Sequence, residues 1–195
     1  MNLKSEKEFF LFKNREMKNS KINLITAALL IIFAVASRLL SHPMNFTPIT
    51  AVALFSGVYL GGRKLTLLIP VIAMLISDYF IGFHSGMVWV YGSFLIIGGL
   101  GLWLKGHKKL SYIAGTTLAS SVIFFVITNF GVWAGGSYGY TLAGLGECYT
   151  MAIPFFRNTL AGDVFYVSAM FGIYELVSLA VKKLFPEENI LKSGN

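Results

Sequence analysis

Charge is scarce in this sequence: only 13% of its 195 residues are Asp, Glu, Lys or Arg, about half the share of an average soluble domain. Cysteine is almost absent. The single Cys148 excludes an internal disulfide and any cysteine-rich metal site. Low-complexity stretches and clear repeats are missing, which favours one compact domain. No His-Glu-x-x-His pair and no Walker-type phosphate loop occurs, and neither an arginine-studded voltage sensor nor a channel filter is evident. No enzyme and no cofactor are therefore expected, and any use of ATP has to come from a partner.

Apolar residues fill the space that charge leaves. They make up 55% of the chain and recur in long runs, the mark of a multi-span membrane protein. The expected fold is an all-α bundle of six transmembrane helices at 22–40, 49–60, 65–81, 87–104, 110 to about 129 and 159 to about 181. A perpendicular crossing takes roughly 20 residues, so the second run is too short alone and reads as a broken or re-entrant helix. Membranes tolerate such a segment only where protein or a water-filled cavity covers its backbone.

Basic residues orient the bundle. Lys4, Lys7, Lys13, Arg15, Lys18 and Lys21 precede the first run. Arg63 and Lys64 lie between the second and third, and Lys105, Lys108 and Lys109 between the fourth and fifth. Lys182, Lys183 and Lys192 follow the sixth. Six spans put all of these on one side, which the positive-inside rule makes cytoplasmic. Only Arg38 and Arg157 remain, near the opposite face. The net charge of +7 is then orientation plus attraction to anionic lipid, and no nucleic-acid partner is implied. Residues 1–21 form a basic cytoplasmic leader, either floppy or an interfacial helix. Residues 22–185 form the membrane domain and 186–195 a cytoplasmic tail. Ala34-Val35-Ala36 has the form of a signal-peptidase site, but the apolar run is long for a signal peptide.

Polar groups inside the runs are lopsided. The non-cytoplasmic ends collect Arg38, His42, Asn45, Thr47, Asp78, His84, Asn129, Glu147, Arg157, Asn158 and Asp163. Intramembrane polar residues are costly and mark sites or internal pairs. Asp163, Tyr166, Met170 and Tyr174 share one helical face, a stripe suited to a solute pocket. The structural alternative is that Asp163 pairs with Arg38 or Arg157 and locks helices together. Asp78, His84 and His42 are types that hold metals, but their spacing matches no strong metal motif and no metal is expected. The connection 131–158, with Trp133, Tyr138, Tyr140 and Tyr149, is long enough to be a lid. Gly57 with Gly61, and the run Gly98-Gly99-Leu100-Gly101, read as helix packing.

The stretch His42-Pro43-Met44-Asn45-Phe46-Thr47-Pro48-Ile49, followed by Ala53-Leu54-Phe55-Ser56-Gly57, resembles the opening of a family of small bacterial membrane proteins, DUF6580. Ile76-Ser77-Asp78, His84-Ser85-Gly86-Met87, Val90-Tyr91-Gly92-Ser93, Thr128-Asn129-Phe130-Gly131-Val132-Trp133 and 154–163 fit the same pattern. The resemblance covers about 37–175 and implies transport in the cytoplasmic (inner) membrane of a bacterium. In size and plan the chain is also similar to the S components of energy-coupling-factor vitamin importers. That resemblance implies an outward-facing pocket under a covering loop and, as a candidate partner, an energising transmembrane and ATPase module. S components dock on that module through an Ala-x-x-x-Ala patch. The first run here has Ala27, Ala28, Ala34 and Ala36 and lacks that spacing.

The resulting expectation is an uptake protein of this S-component-like type for a vitamin or cofactor-like solute. Asn45, Asp78, His84, Trp89, Tyr91, Asn129, Arg157, Asn158 and Asp163 are its candidate binding or gating residues, and Arg38 with Asp163 is a candidate ion pair. The alternatives are a non-transporting scaffold or assembly factor and, more remotely, an intramembrane enzyme at the His84 and Asp78 region.

Overall fold

The structure, a computed structural model, describes residues 3–60 and 62–184, with backbone alone for 3–20, 181 and 182. Six helices follow in order: α1 (Leu3–Leu39), α2 (Ile49–Tyr59), α3 (Arg63–Ile81), α4 (Met87–Leu104), α5 (Leu110–Ala134) and α6 (Leu142–Leu184). Among the described residues there is no strand. Five helices are long and apolar enough to cross a membrane, and α2 is not. The outward side chains agree with a lipid surround: Ile22, Leu24, Ile25, Leu29 and Ile32 on α1 are all at least half exposed, a patch of the kind that faces lipid or a partner protein.

Two element boundaries differ from the sequence expectation. The basic leader is continuous with the first span, because α1 is one helix of 37 residues. The sixth span begins at Leu142 rather than 159, so most of the expected lid is helix and only 135–141 is not. The length of the connection 131–158 had suggested a loop. Pro154 sits inside α6, where it removes one intrahelical bond without ending the helix. The tail at 186–195 lies outside the described residues.

At 11 residues, α2 rises about 16 Å, half the thickness of a bilayer core. Ile49 through Val58 are all buried in it, so it is a core helix with no lipid-facing side. The chain returns through α2, and α1 and α3 therefore run parallel. Asn23 Nδ2 donates to the Leu60 carbonyl at one end of that pair (3.2 Å), and Arg38 reaches α3 at the other. Two devices seat α2. A Cβ on Gly57 would overlap the backbone of Gly101, and one on Gly101 would fall 2.8 Å from the Ala53 carbonyl oxygen, so α2 and α4 meet backbone to backbone. On the α3 side, Pro70 frees the Thr66 carbonyl from its helix bond. Ser56 Oγ of α2 donates to that carbonyl (3.5 Å), and Thr66 Oγ1 donates to the Ser56 carbonyl (3.3 Å).

Overpacking a filled contact costs about 1–3 kcal/mol or more. Gly101→Ala is therefore expected to lower the melting temperature of the detergent-purified protein or to abolish its expression. Gly99→Ala, with open space at its Cβ, is expected to leave stability unchanged or raise it, as a glycine-to-alanine change in a helix does.

Candidate functional site

The connection 40–48 is non-helical and carries the chain from the end of α1 down to the buried start of α2. A tight turn shapes it: the Phe46 N–H bonds the Pro43 carbonyl (3.0 Å), and Asn45 takes a left-handed φ of 64°, which asparagine tolerates better than most side chains. Because α2 starts inside the bundle, the space above it is filled only by this segment. A cavity of about 390 Å³ remains, lined by Arg38, His42, Asn45, Thr47, Met74, Ile81, His84, Val90, Phe94, Phe124, Thr159 and Asp163. A second, of about 320 Å³, lies between α4, α5 and the outer part of α6. Asn45, Val90, Phe124 and Thr159 line both, so the two are chambers of one site divided by those side chains.

One face of α6 walls the second chamber. Cys148, Met151, Ala152, Phe155, Phe156 and Thr159 line it, at the i, i+3, i+4 spacing of a helix, and Asp163 continues that face into the first chamber. The outer half of α6 is tied to α5. Tyr149 Oη donates to the Val126 carbonyl (2.7 Å), Cys148 Sγ lies 3.4 Å from the Asn129 carbonyl, and the Phe125 and Phe156 rings pack at a tilt of 44° with centroids 4.7 Å apart. A helix thus covers the site where a lid loop was expected.

Two buried carboxylates stand here in different surroundings. Asp78 Oδ1 lies 2.7 Å from the Arg38 guanidinium, an ionic contact without the alignment of a hydrogen bond. Asp78 Oδ2 accepts a bond from Tyr91 Oη (2.6 Å). Arg38 also donates to Ser77 Oγ and reaches Met74 Sδ (3.1 Å). This pair ties α1, α3 and α4 together. The expected partner of Arg38, Asp163, is not in contact with it. Helical geometry explains the difference: α1 and α3 run parallel, so their outer ends lie side by side, whereas Asp163 sits deeper. Asp163 is 2% exposed. It accepts a bond from Ser121 Oγ (2.6 Å) and lies against the Thr50 hydroxyl.

The other candidates separate. Asn45, His84 and Asn129 line the chambers, while Asp78 and Tyr91 stand behind Arg38. Trp89 lines neither chamber. Its ring fills the space where a Cβ on Gly131 would be and meets Phe130 edge-on at 5.3 Å, pinning α4 to α5. Arg157 is exposed, Asn158 is half-buried, and neither lines a chamber. Of the expected stripe only Asp163 faces the site. Tyr166 packs on Phe33 and Phe46, and Tyr174 on Tyr59 and Phe55. Sequence reasoning missed Phe124, Thr159, Met151 and Phe155. The signal was the helical period running straight through Pro154. It also passed over Gly135-Gly136-Ser137-Tyr138-Gly139, which spells Gly-x-Ser-x-Gly. That motif works at a strand-to-helix turn, and here it joins two helices. No three His, Cys, Asp or Glu side chains gather as a metal site among the described residues.

A family model, DUF6580, matches residues 18–186. The chain belongs to the DUF6580 family. It is a family of unknown function, so membership adds no activity to the geometry. Comparison with curated proteins and with solved structures finds no match. The match runs from within α1 to just past α6, so the family unit takes in every helix that lines the site.

Removing one partner of a buried ion pair leaves an uncompensated charge and costs about 3–5 kcal/mol. Arg38→Met alone, or Asp78→Leu alone, is expected to lower thermal stability by that order. The double variant is expected to recover most of it. Additive losses in a double-mutant cycle would show that the two groups do not act as a pair.

Proposed function

We propose that this protein binds a small vitamin- or cofactor-like solute from outside a bacterial cytoplasmic membrane and takes it up, in the manner of an S component. The observation that carries the reading is the two-chambered cavity, polar on one wall and aromatic on the other. Its two volumes lie in the range of small-molecule sites, where apolar contact supplies area and a few polar groups fix orientation. Asn45, Asn129, Thr159 and Asp163 are the orienting groups, and Phe124, Phe155 and Phe156 supply contact. Trp89, Arg157 and Asn158 line neither chamber.

The topology that fits is six passes with both chain ends inside and α2 as a short return. It puts Arg63, Lys64, Lys105, Lys108 and Lys109 on the cytoplasmic side and the chambers on the outer. At the inner end Phe55, Tyr59, Phe171 and Tyr174 pack around the end of α2, with Lys108 Nζ 5.0 Å above the Tyr59 ring and Tyr59 Oη donating to Glu175 (3.1 Å), and a groove of about 440 Å³ runs beside them between α5 and α6. An outer cavity separated from the inner side by the packed end of α2 is what an uptake protein presents while it awaits solute. The missing Ala-x-x-x-Ala spacing in α1 favours action without the shared energising module.

Native mass spectrometry of gently purified protein, followed by thermal-shift screening against vitamins and cofactors, tests the reading. A ligand present at about 100 times its Kd stabilises the folded state by about 2.7 kcal/mol, so one clear stabiliser is expected. Val90→Phe, which fills the wall shared by both chambers, is expected to abolish that shift while leaving the unliganded protein folded. A clean apo mass, no stabiliser and a co-purifying protein would replace this reading with that of a scaffold.

A further inference from the structure

We propose that Asp163 is the counter-charge for a monovalent cation that enters the cavity, either as an ammonium group of the solute or as a sodium ion bound beside it. The inference rests on the solute-binding reading above and adds to it the charge of what is bound.

The argument is an inventory of charge. At the outer end Arg38 and Asp78 neutralise one another. Among the described residues no other Lys, Arg or His nitrogen lies within ion-pair distance of a carboxylate, so Asp163 has no cationic partner. Its neighbours Ser121 and Thr50 are neutral hydroxyls. The start of α2 at Ile49 and Thr50 supplies at most about half an elementary charge, which stabilises the carboxylate without cancelling it. From the loops, His42 and His84 line the same chamber, and His42 Nδ1 is engaged with the Pro43 carbonyl (2.8 Å). From α4, Tyr91 is given to Asp78. On α6 itself Tyr166 packs among rings, and Arg157 is exposed and outside both chambers. The chamber's α5 lining is apolar Phe124.

Buried charges in folded proteins are paired, and an intramembrane charge left over belongs to the traffic through the site. The remaining polar lining is oxygen-rich. Thr47, Thr159 and the Asn45 amide border the chamber with Asp163, and such oxygens take sodium or an ammonium. A divalent ion is disfavoured, because the chamber lining holds no carboxylate besides Asp163. Phe94 and Phe124, with ring centroids 5.1 Å apart, offer faces to an organic cation.

The test is thermal unfolding of the purified wild type and of Asp163→Asn, which keeps the size of the side chain and removes its charge. Sodium chloride is compared with potassium chloride at equal ionic strength. Tryptamine is compared with tryptophol and indole-3-acetate, its neutral and anionic counterparts. The expected result is that sodium or tryptamine stabilises the wild type beyond its controls and that Asp163→Asn loses this increment, an apparent affinity loss of at least about tenfold. A sodium-specific increment assigns a coupling ion, and a tryptamine-specific one assigns an ammonium on the solute. Equal responses of both proteins to sodium and to tryptamine overturn the cation. If tryptophol still stabilises both proteins, the solute-binding reading stands without it. If no probe stabilises either, the cation falls, and the vitamin and cofactor screen alone decides the solute-binding reading. Should Asp163→Asn fail to fold, Ser121→Ala keeps the charge and removes its nearest hydroxyl. It is expected to weaken the sodium or tryptamine response several-fold and leave tryptophol unchanged, and an unaltered cation response overturns the proposal.

Discussion

A helix too short to cross a membrane, yet buried on every side, constrains the rest of this molecule. Its backbone ends cannot turn to lipid, because an unpaired N–H or C=O in hydrocarbon costs several kcal/mol. Protein has to surround α2, and four long helices are shaped to do so. Gly101 gives up its side chain so that α4 can touch the α2 backbone. Pro70 opens a carbonyl on α3 that Ser56 fills. Asn23 of α1 reaches the Leu60 carbonyl at the end of α2, and the α6 rings at Phe171 and Tyr174 pack against Phe55 and Tyr59. At the start of α2 no side chain caps the helix, and Thr50 in its first turn lies against Asp163.

The cavity follows from the same shortness. Since α2 covers about half the depth of a bilayer, the chain has to descend to its start through 40–48 without helical structure. A non-helical segment fills space less completely than a helix, and its polar groups need partners or water. The result is a chamber bordered by His42, Asn45 and Thr47 from that segment. The fold obtains a polar site inside a membrane bundle because one helix is truncated, the arrangement by which broken helices place binding sites near the midplane.

Much of this was legible in the sequence. Apolar runs placed five of the helices, because a run of that length has few other uses, and the short second run was marked as broken by length alone. Asn45, His84, Asn129 and Asp163 were marked by the expense of polarity near lipid. What failed has physical causes. The partner of Arg38 depends on which helices run parallel, and one sequence does not contain that. Trp89 was chosen for its chemistry, but its place is set by Gly131, a residue that carries no pattern of its own. The lid was inferred from the length of the connection 131–158 and its aromatic residues, but 142–158 are helical, and Pro154 interrupts one bond of that helix without ending it. Cys148, Met151, Ala152, Phe155, Phe156 and Thr159 did carry a helical period, and they are the wall of the second chamber.

The two buried aspartates show why residue type alone does not give a role. Asp78 and Asp163 are both nearly inaccessible, at 1% and 2% exposure, and both sit at the outer half of the bundle. Asp78 meets a guanidinium and a phenol, and its charge is spent in joining three helices. Asp163 meets two hydroxyls and the start of a helix, and it borders open volume. Arg38 and Asp78 satisfy one another's charge across three helices, whereas Asp163 is held by neutral hydroxyls at the edge of the chamber. With 142–184 as one helix, the chamber wall is helical throughout, and Pro154, where one backbone bond is missing, is the point at which that wall is least tied along its own axis.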